Sequence, residues 1–185
     1  LGLERPLLVT DKGIEGTGIL QRTLDAARPH LPVVYTGTTE NPSEACLETC
    51  LELWREHGCD GVIALGGGSP IDLAKAVALI TSHGGTFRDY DVKTGGSVEI
   101  GQVSPQIAIP TAAGTGAEIG RACVMTLNDG RKSIAVNLNM VADTVICDPE
   151  LTVSLPPRMT AATGIDALSH GIETYLSPSL NPPAD

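Results

Sequence analysis

The 185 residues suffice for one well-packed domain with little left for a second, and a net charge of −10, from 22 acidic and 12 basic residues with no Lys/Arg run, argues against nucleic acid or anionic membrane as partners. Five cysteines, an odd number without C-x-x-C spacing, fall mostly in apolar stretches and read as reduced core thiols of a cytoplasmic protein. The chain shows no basic-then-apolar leader and no run of 18 apolar residues, so neither secretion nor membrane spanning is expected.

Leu7-Leu8-Val9-Thr10 reads as a first strand, after which Ile19, Leu20, Leu24 and Ala27 recur at helical spacing until Pro29 stops them. Val33-Val34-Tyr35 is a second strand. A second helix is expected with Asn41 as its cap, Pro42 at its first position and Glu44 at its third. Leu47, Cys50, Leu51 and Trp54 share one face of it, and Gly58 follows its end. The third strand, Val62-Ile63-Ala64-Leu65, runs directly into Gly66-Gly67-Gly68-Ser69-Pro70-Ile71-Asp72 and an apolar helix. Strand and helix alternate, the pattern of a parallel sheet built by right-handed crossovers.

The glycine turn carries the chemistry of this half. Backbone without Cβ admits a ligand to the main chain, and a helix N-terminus there offers free amides and a positive dipole end to a phosphate. Ser69 is expected as N-cap, Pro70 at the first helical position and Asp72 at the third. The G-x-G-x-x-G fingerprint fails because Ile71 stands where its last glycine belongs, and a tight turn without a ligand remains the alternative. Ligands of such sheets lie at the carboxyl ends of the strands, where Asp11 and this turn both fall.

Gln106-Ile107-Ala108-Ile109 is a fourth buried strand, ended by Pro110 and followed by a loop over residues 111–118 rich in Thr and Gly. Its hydroxyls suit a phosphate or a nicotinamide; a plain surface turn is the alternative. Residues 122–127 and 133–136 flank Asn128-Asp129-Gly130, a hairpin signal, and residues 144–147 form a last short strand. From Pro156-Pro157 the pattern changes. Residues 159–176 place Ile165, Leu168, Ile172 and Tyr175 on one helical face, and no strand follows, which sets a domain boundary near Leu155. Gly164 and Gly171 each weaken this helix by up to about 1 kcal/mol, so close packing or function is expected to compensate. Asp166 and His170, four residues apart, project together and can grip one divalent cation; a surface Asp-His pair is the alternative.

Taken in register, Val9-Thr10-Asp11-Lys12, the turn at 66–72, residues 110–118, Cys147-Asp148-Pro149-Glu150-Leu151 and residues 160–175 resemble the iron-containing (group III) alcohol dehydrogenases over essentially the whole chain. The resemblance implies an α/β, Rossmann-like parallel-sheet domain of the dehydroquinate synthase-like kind over residues 1–155, without its first segment, and the start of an all-helical metal-binding domain over 156–185. It implies NAD as cofactor. Asp11 would meet the adenosine ribose, and Asn41 would touch the adenosine side. Gly67, Gly68 and Ser69 would hold the pyrophosphate, with Thr111, Thr115 and Lys132 as further cofactor contacts.

Asp166 and His170 would be the first two ligands of a divalent metal, Fe2+ first and Zn2+ second, with two histidines beyond residue 185 completing the set. The chemistry implied is hydride exchange between a primary or secondary alcohol, or its aldehyde or ketone, and the nicotinamide. A homo-oligomer is expected, and the 185 residues alone are expected to be inactive. Glycerol dehydrogenases and maleylacetate reductases share the architecture and stand as the alternative chemistry, with an inactive nucleotide-binding module as the non-enzymatic one.

Overall fold

A computed structural model describes residues 1–178; residues 179–185, the end of the segment expected to open a helical domain, lie outside the described residues. In chain order the elements are β1 (Leu7–Val9), α1 (Lys12–Glu15), α2 (Ile19–Ala26), β2 (Val33–Tyr35), α3 (Glu44–His57), β3 (Val62–Gly66) and α4 (Gly68–His83). They continue with β4 (Gln106–Pro110), β5 (Ala122–Thr126), β6 (Lys132–Val136), β7 (Thr144–Val145) and α5 (Pro157–Leu176). None of these helices is long and apolar enough to cross a membrane.

Five strands form one sheet in the order β2-β1-β3-β4-β7, every neighbouring pair parallel, with Leu7 opposite both Val33 and Val62. Both faces are covered, which is why β1 and β3 read as unbroken apolar runs rather than alternating ones. Leu7, Val9, Val62 and Ala64 pack beneath α3, α4 and the β5–β6 hairpin, whereas Leu8, Ile63, Leu65 and Ile109 meet Ile19, Leu20 and Leu151 on the other face. The α/β fold with a Rossmann-like parallel sheet is thus the one expected from the sequence.

Two helix starts differ from expectation, for tertiary reasons. The helix expected from Asn41 begins at Glu44, capped by Ser43, whose hydroxyl accepts from the Cys46 amide at 3.4 Å. Asn41 takes a left-handed φ of 54°, and the Thr126 amide donates to the Pro42 carbonyl at 2.8 Å, so this stretch is held by the hairpin and cannot join the helix. α4 likewise begins before Ser69. Gly66 turns the chain at φ 147°, a conformation L side chains rarely adopt. Gly67 becomes the cap, and Ser69 and Pro70 fall within the first turn, where proline has no bonded N–H to lose.

α4 is buried from Pro70 to Ile80 apart from half-buried Asp72, between the sheet and the hairpin. α5 buries none of its residues. Ile165, Leu168, Ile172 and Tyr175 are exposed, and a Cβ at Gly164 or Gly171 would meet open space, so nothing among the described residues compensates for these two glycines. Four of the five cysteines are buried and all are free, while Cys147 is exposed.

Candidate functional site

β1 and β3 are adjacent in the sheet, but the chain leaves β1 toward β2 on one side and reaches β3 on the other. A crevice opens at such a switch point. Asp11 follows the end of β1 and Gly66 ends β3. Asp11 Oδ1 accepts from the Ile14 amide at 3.0 Å and so caps α1, and Oδ2 lies 3.4 Å from where a Cβ on Gly66 would stand. One carboxylate oxygen is thereby fixed by the backbone and the other faces the glycine turn.

Two clefts meet over that turn. The first, of about 610 Å³, runs between Asp11, Lys12 and Thr36 to Glu40 and is floored by Gly67, Gly68 and Ser69. The second, of about 640 Å³, is bounded by Asn41, Asp72, Lys132, Asp166 and His170. Gly68, Ser69 and Thr115 line both, so the start of α4 forms a saddle between them. Because Gly67 caps α4 without a side chain, its first amides have no intramolecular acceptor at the cap, and they look onto the saddle with the positive end of a 16-residue helix behind them. A Cβ at Gly67 would meet nothing within 4 Å. At Gly68 it would come within 3.0 Å of Thr115 Cγ2.

This arrangement fits a dinucleotide: two chambers that meet at a helix N-terminus able to receive an anion, with the carboxylate of Asp11 lining one of them. The Thr38 hydroxyl, buried on the wall of the first cleft, has no hydrogen-bond partner among the described residues, and a ligand polar group there would satisfy it.

The expected site residues are distributed unevenly. Asp11 and Gly67 lie in the first cleft, and Gly68, Ser69 and Thr115 in both. Asn41 lines the second, where its Oδ1 accepts from Lys132 Nζ at 2.8 Å. Thr111 is buried and lines neither; its amide donates to the Gly66 carbonyl at 3.0 Å and ties the root of the 111–118 loop to the glycine turn. Asp166 Oδ1 and His170 Nε2 stand 3.8 Å apart on the rim of the second cleft. Two donors bound tetrahedrally at 2.0–2.2 Å lie about 3.4 Å apart, so a small side-chain rotation lets the pair share one cation. Among the described residues no third His, Cys, Asp or Glu joins them. The loop approaches α5 closely, since a Cβ on Gly114 would fall 2.7 Å from the Thr163 carbonyl.

Three side chains beside the clefts escape the sequence reading. Cys46 lies behind Thr39: burial raises its pKa, but hydrogen bonds with Ser43 and Thr39 more than offset this and bring the thiol to about 6. Lys75 is buried inside α4 and Asp72 lines the second cleft. Asp72 looks in sequence like part of a helix cap; instead it reaches away from the turn and accepts from the Val124 amide at 3.2 Å. Burial pushes its pKa up to about 6, outweighing the Val124 bond and the charge of Lys75.

The folded chain therefore holds this proton more tightly than the unfolded one, so the group's contribution to stability is full below about pH 4 and is lost as pH rises through 6. Asp72→Asn is expected to remove that loss, about 3 kcal/mol in the difference between the two proteins, while keeping an acceptor for Val124. Denaturant titrations of both between pH 4 and 7 measure it. Parallel stability profiles would show that Asp72 does not titrate in this range.

Comparison with known proteins places these features in a context. The family model for the iron-containing alcohol dehydrogenases matches residues 1–149. The chain is 46% identical over 186 residues to a 4-hydroxybutyrate dehydrogenase of Cupriavidus necator, covering all of this chain and 49% of that protein. A sulfoacetaldehyde reductase from Bifidobacterium kashiwanohense, solved with NAD+, superposes with a TM-score of 0.87 at 36% identity, over 98% of this chain and 48% of that one. An iron-containing alcohol dehydrogenase from Thermotoga maritima gives a TM-score of 0.84 at 34% identity, over 97% and 50%. The chain thus spans about half the length of these relatives.

Proposed function

Because the chain belongs to the iron-containing alcohol dehydrogenase family, we propose that it binds NAD across the saddle at the start of α4 and contributes Asp166 and His170 to the metal site of an alcohol dehydrogenase. The observation that carries this reading is the pair of clefts meeting at a helix N-terminus without a side-chain cap, one lined by Asp11 and the other by the Asp166–His170 pair.

In this reading residues 1–155 form the dinucleotide-binding unit and α5 begins a metal-binding one. Asp11 accepts from the ribose hydroxyls of the adenosine, the amides of Gly67, Gly68 and Ser69 hold the pyrophosphate, and Thr115 borders both halves of the cofactor. Lys132, held by Asn41, adds positive charge in the second cleft. Thr111 acts indirectly, by holding the loop root against Gly66.

When bound, a divalent cation supplies Lewis acidity to the substrate oxygen and the nicotinamide supplies the redox chemistry. Fe2+ is the first choice by family and Zn2+ the second, since one carboxylate and one imidazole suit either ion. The chain's own part is to keep the reacting groups together in the second cleft, which is where orientation contributes to rate. The 46% identity to 4-hydroxybutyrate dehydrogenase, with the sulfoacetaldehyde reductase likeness, favours a short alcohol or aldehyde that carries an anionic group at its far end.

Anaerobic calorimetry with Fe2+, and separately with Zn2+, tests the metal assignment. His170→Ala is expected to weaken cation binding about tenfold and to leave NAD affinity within about twofold, since α5 and the glycine turn are separate elements. Unchanged cation affinity in the variant would overturn the ligand assignment.

A further inference from the structure

α4 is apolar on almost every side, and in its buried middle stands one lysine. Lys75 is 1% exposed. An ammonium without partners in such a place costs several kcal/mol, and a leucine or methionine would pack there without that cost. What the lysine gains is specific. Its three N–H groups donate to three carbonyls, that of Gly120, that of Ala117 at 2.7 Å and that of Ala122 at 3.2 Å, on the segment joining β4 to β5 and on the first residue of β5. Donor number and acceptor number match, so the charged form is the one this cage satisfies.

Ala117, Gly120 and Ala122 all line the second cleft, and the same segment carries Thr115 to within 3.0 Å of the space above Gly68. Thr115 itself has little to hold it from its own side: its hydroxyl accepts from the Ala117 amide two residues on, at 3.2 Å. At the other end, Gly114 rests against Thr163 of α5. From beneath, the Lys75 ammonium ties residues 117–122 to α4, the helix whose first turn forms the saddle, and the Asp72–Val124 bond continues that tie along β5.

We infer that Lys75 is a positioning residue for the dinucleotide: by gathering the carbonyls of Ala117, Gly120 and Ala122 it holds Thr115 over the start of α4 and fixes the wall of the second cleft. The inference rests on the proposed cofactor placement and extends it to a side chain that touches no ligand. A tether of this kind acts on cofactor affinity through Thr115, whereas a lysine serving packing alone acts on stability and leaves affinity unchanged.

The test is a double-mutant cycle on NAD affinity, measured by calorimetry on the folded chain. In the wild-type background Thr115→Ala should raise the dissociation constant about fivefold; Lys75→Met should raise it about tenfold; and Thr115→Ala added to Lys75→Met should change it less than about 1.5-fold, because the threonine is already displaced. Lys75→Gln, which keeps two donors, provides a second variant should methionine unfold the chain, and its affinity should fall between wild type and Lys75→Met. Folded Lys75 variants with wild-type NAD affinity, or effects of the two substitutions that simply multiply, would overturn the inference while leaving the cofactor site intact. Failure of the wild-type chain to bind NAD would overturn both.

Discussion

Gly68→Val is expected to weaken NAD binding by one to two orders of magnitude, about 1.4–2.8 kcal/mol, in a chain that keeps its fold. A Cβ at this position already falls 3.0 Å from Thr115 Cγ2 and 3.2 Å from its hydroxyl, so the branches of valine must push Thr115 aside or project into the saddle that both clefts share. Either outcome places carbon where the pyrophosphate would meet bare amides. The fold is expected to survive because Gly68 is not among the glycines with a positive φ, and valine is no worse a helix former than the glycine it replaces. Calorimetry against NAD, with thermal unfolding as the control, reads both quantities. Equal affinities in two folded proteins would reduce the glycine turn to a structural device.

Cofactor choice supplies the second large effect. Asp11 and Glu40 both line the first cleft, with Lys12 as the opposing cation. A carboxylate fixed at the Ile14 amide accepts well from ribose hydroxyls but repels a 2′-phosphate carrying close to two negative charges. NAD is therefore expected over NADP. Asp11→Gly removes the repulsion and opens space, and the ratio of NAD to NADP affinity should fall ten- to a hundredfold, about 1.4–2.8 kcal/mol. Loss of the cap costs the four-residue α1 about 1 kcal/mol, which does not favour one cofactor over the other. Paired titrations of both proteins with both dinucleotides measure the ratio; a wild type that prefers NADP, or an unmoved ratio, would mean the ribose lies elsewhere.

The sheet was legible because its central strands β1 and β3 are buried on both faces, so each appears as an apolar run bounded by turn residues, and the parallel order follows from the intervening helices. The glycine turn was legible too as a strand-to-helix junction, since three successive glycines follow an apolar strand and open an apolar helix. Helix starts were not. Local capping preference favoured Asn41 and Ser69, but hairpin pairing at Pro42 and the turn at Gly66 override it, and neither is visible in a local window.

The second cleft was out of reach for a similar reason: residues near 41, 72, 115, 132 and 166–170 become neighbours only after α4 is buried beneath the hairpin. Sequence marks residues 111–118 as hydroxyl-rich without saying which hydroxyl faces the cleft, and the fold buries Thr111 while leaving Thr115 on it. Lys75 has no sequence signature at all, since its partners are main-chain carbonyls.

The most direct test of the central claim is a crystal structure of this chain with NAD. The pyrophosphate should lie against the amides of Gly67, Gly68 and Ser69, with the adenosine ribose at Asp11 and the nicotinamide in the second cleft beside Thr115, facing Asp166 and His170. A dinucleotide bound away from the start of α4, or with its nicotinamide in the cleft that Asp11 lines, would contradict the account.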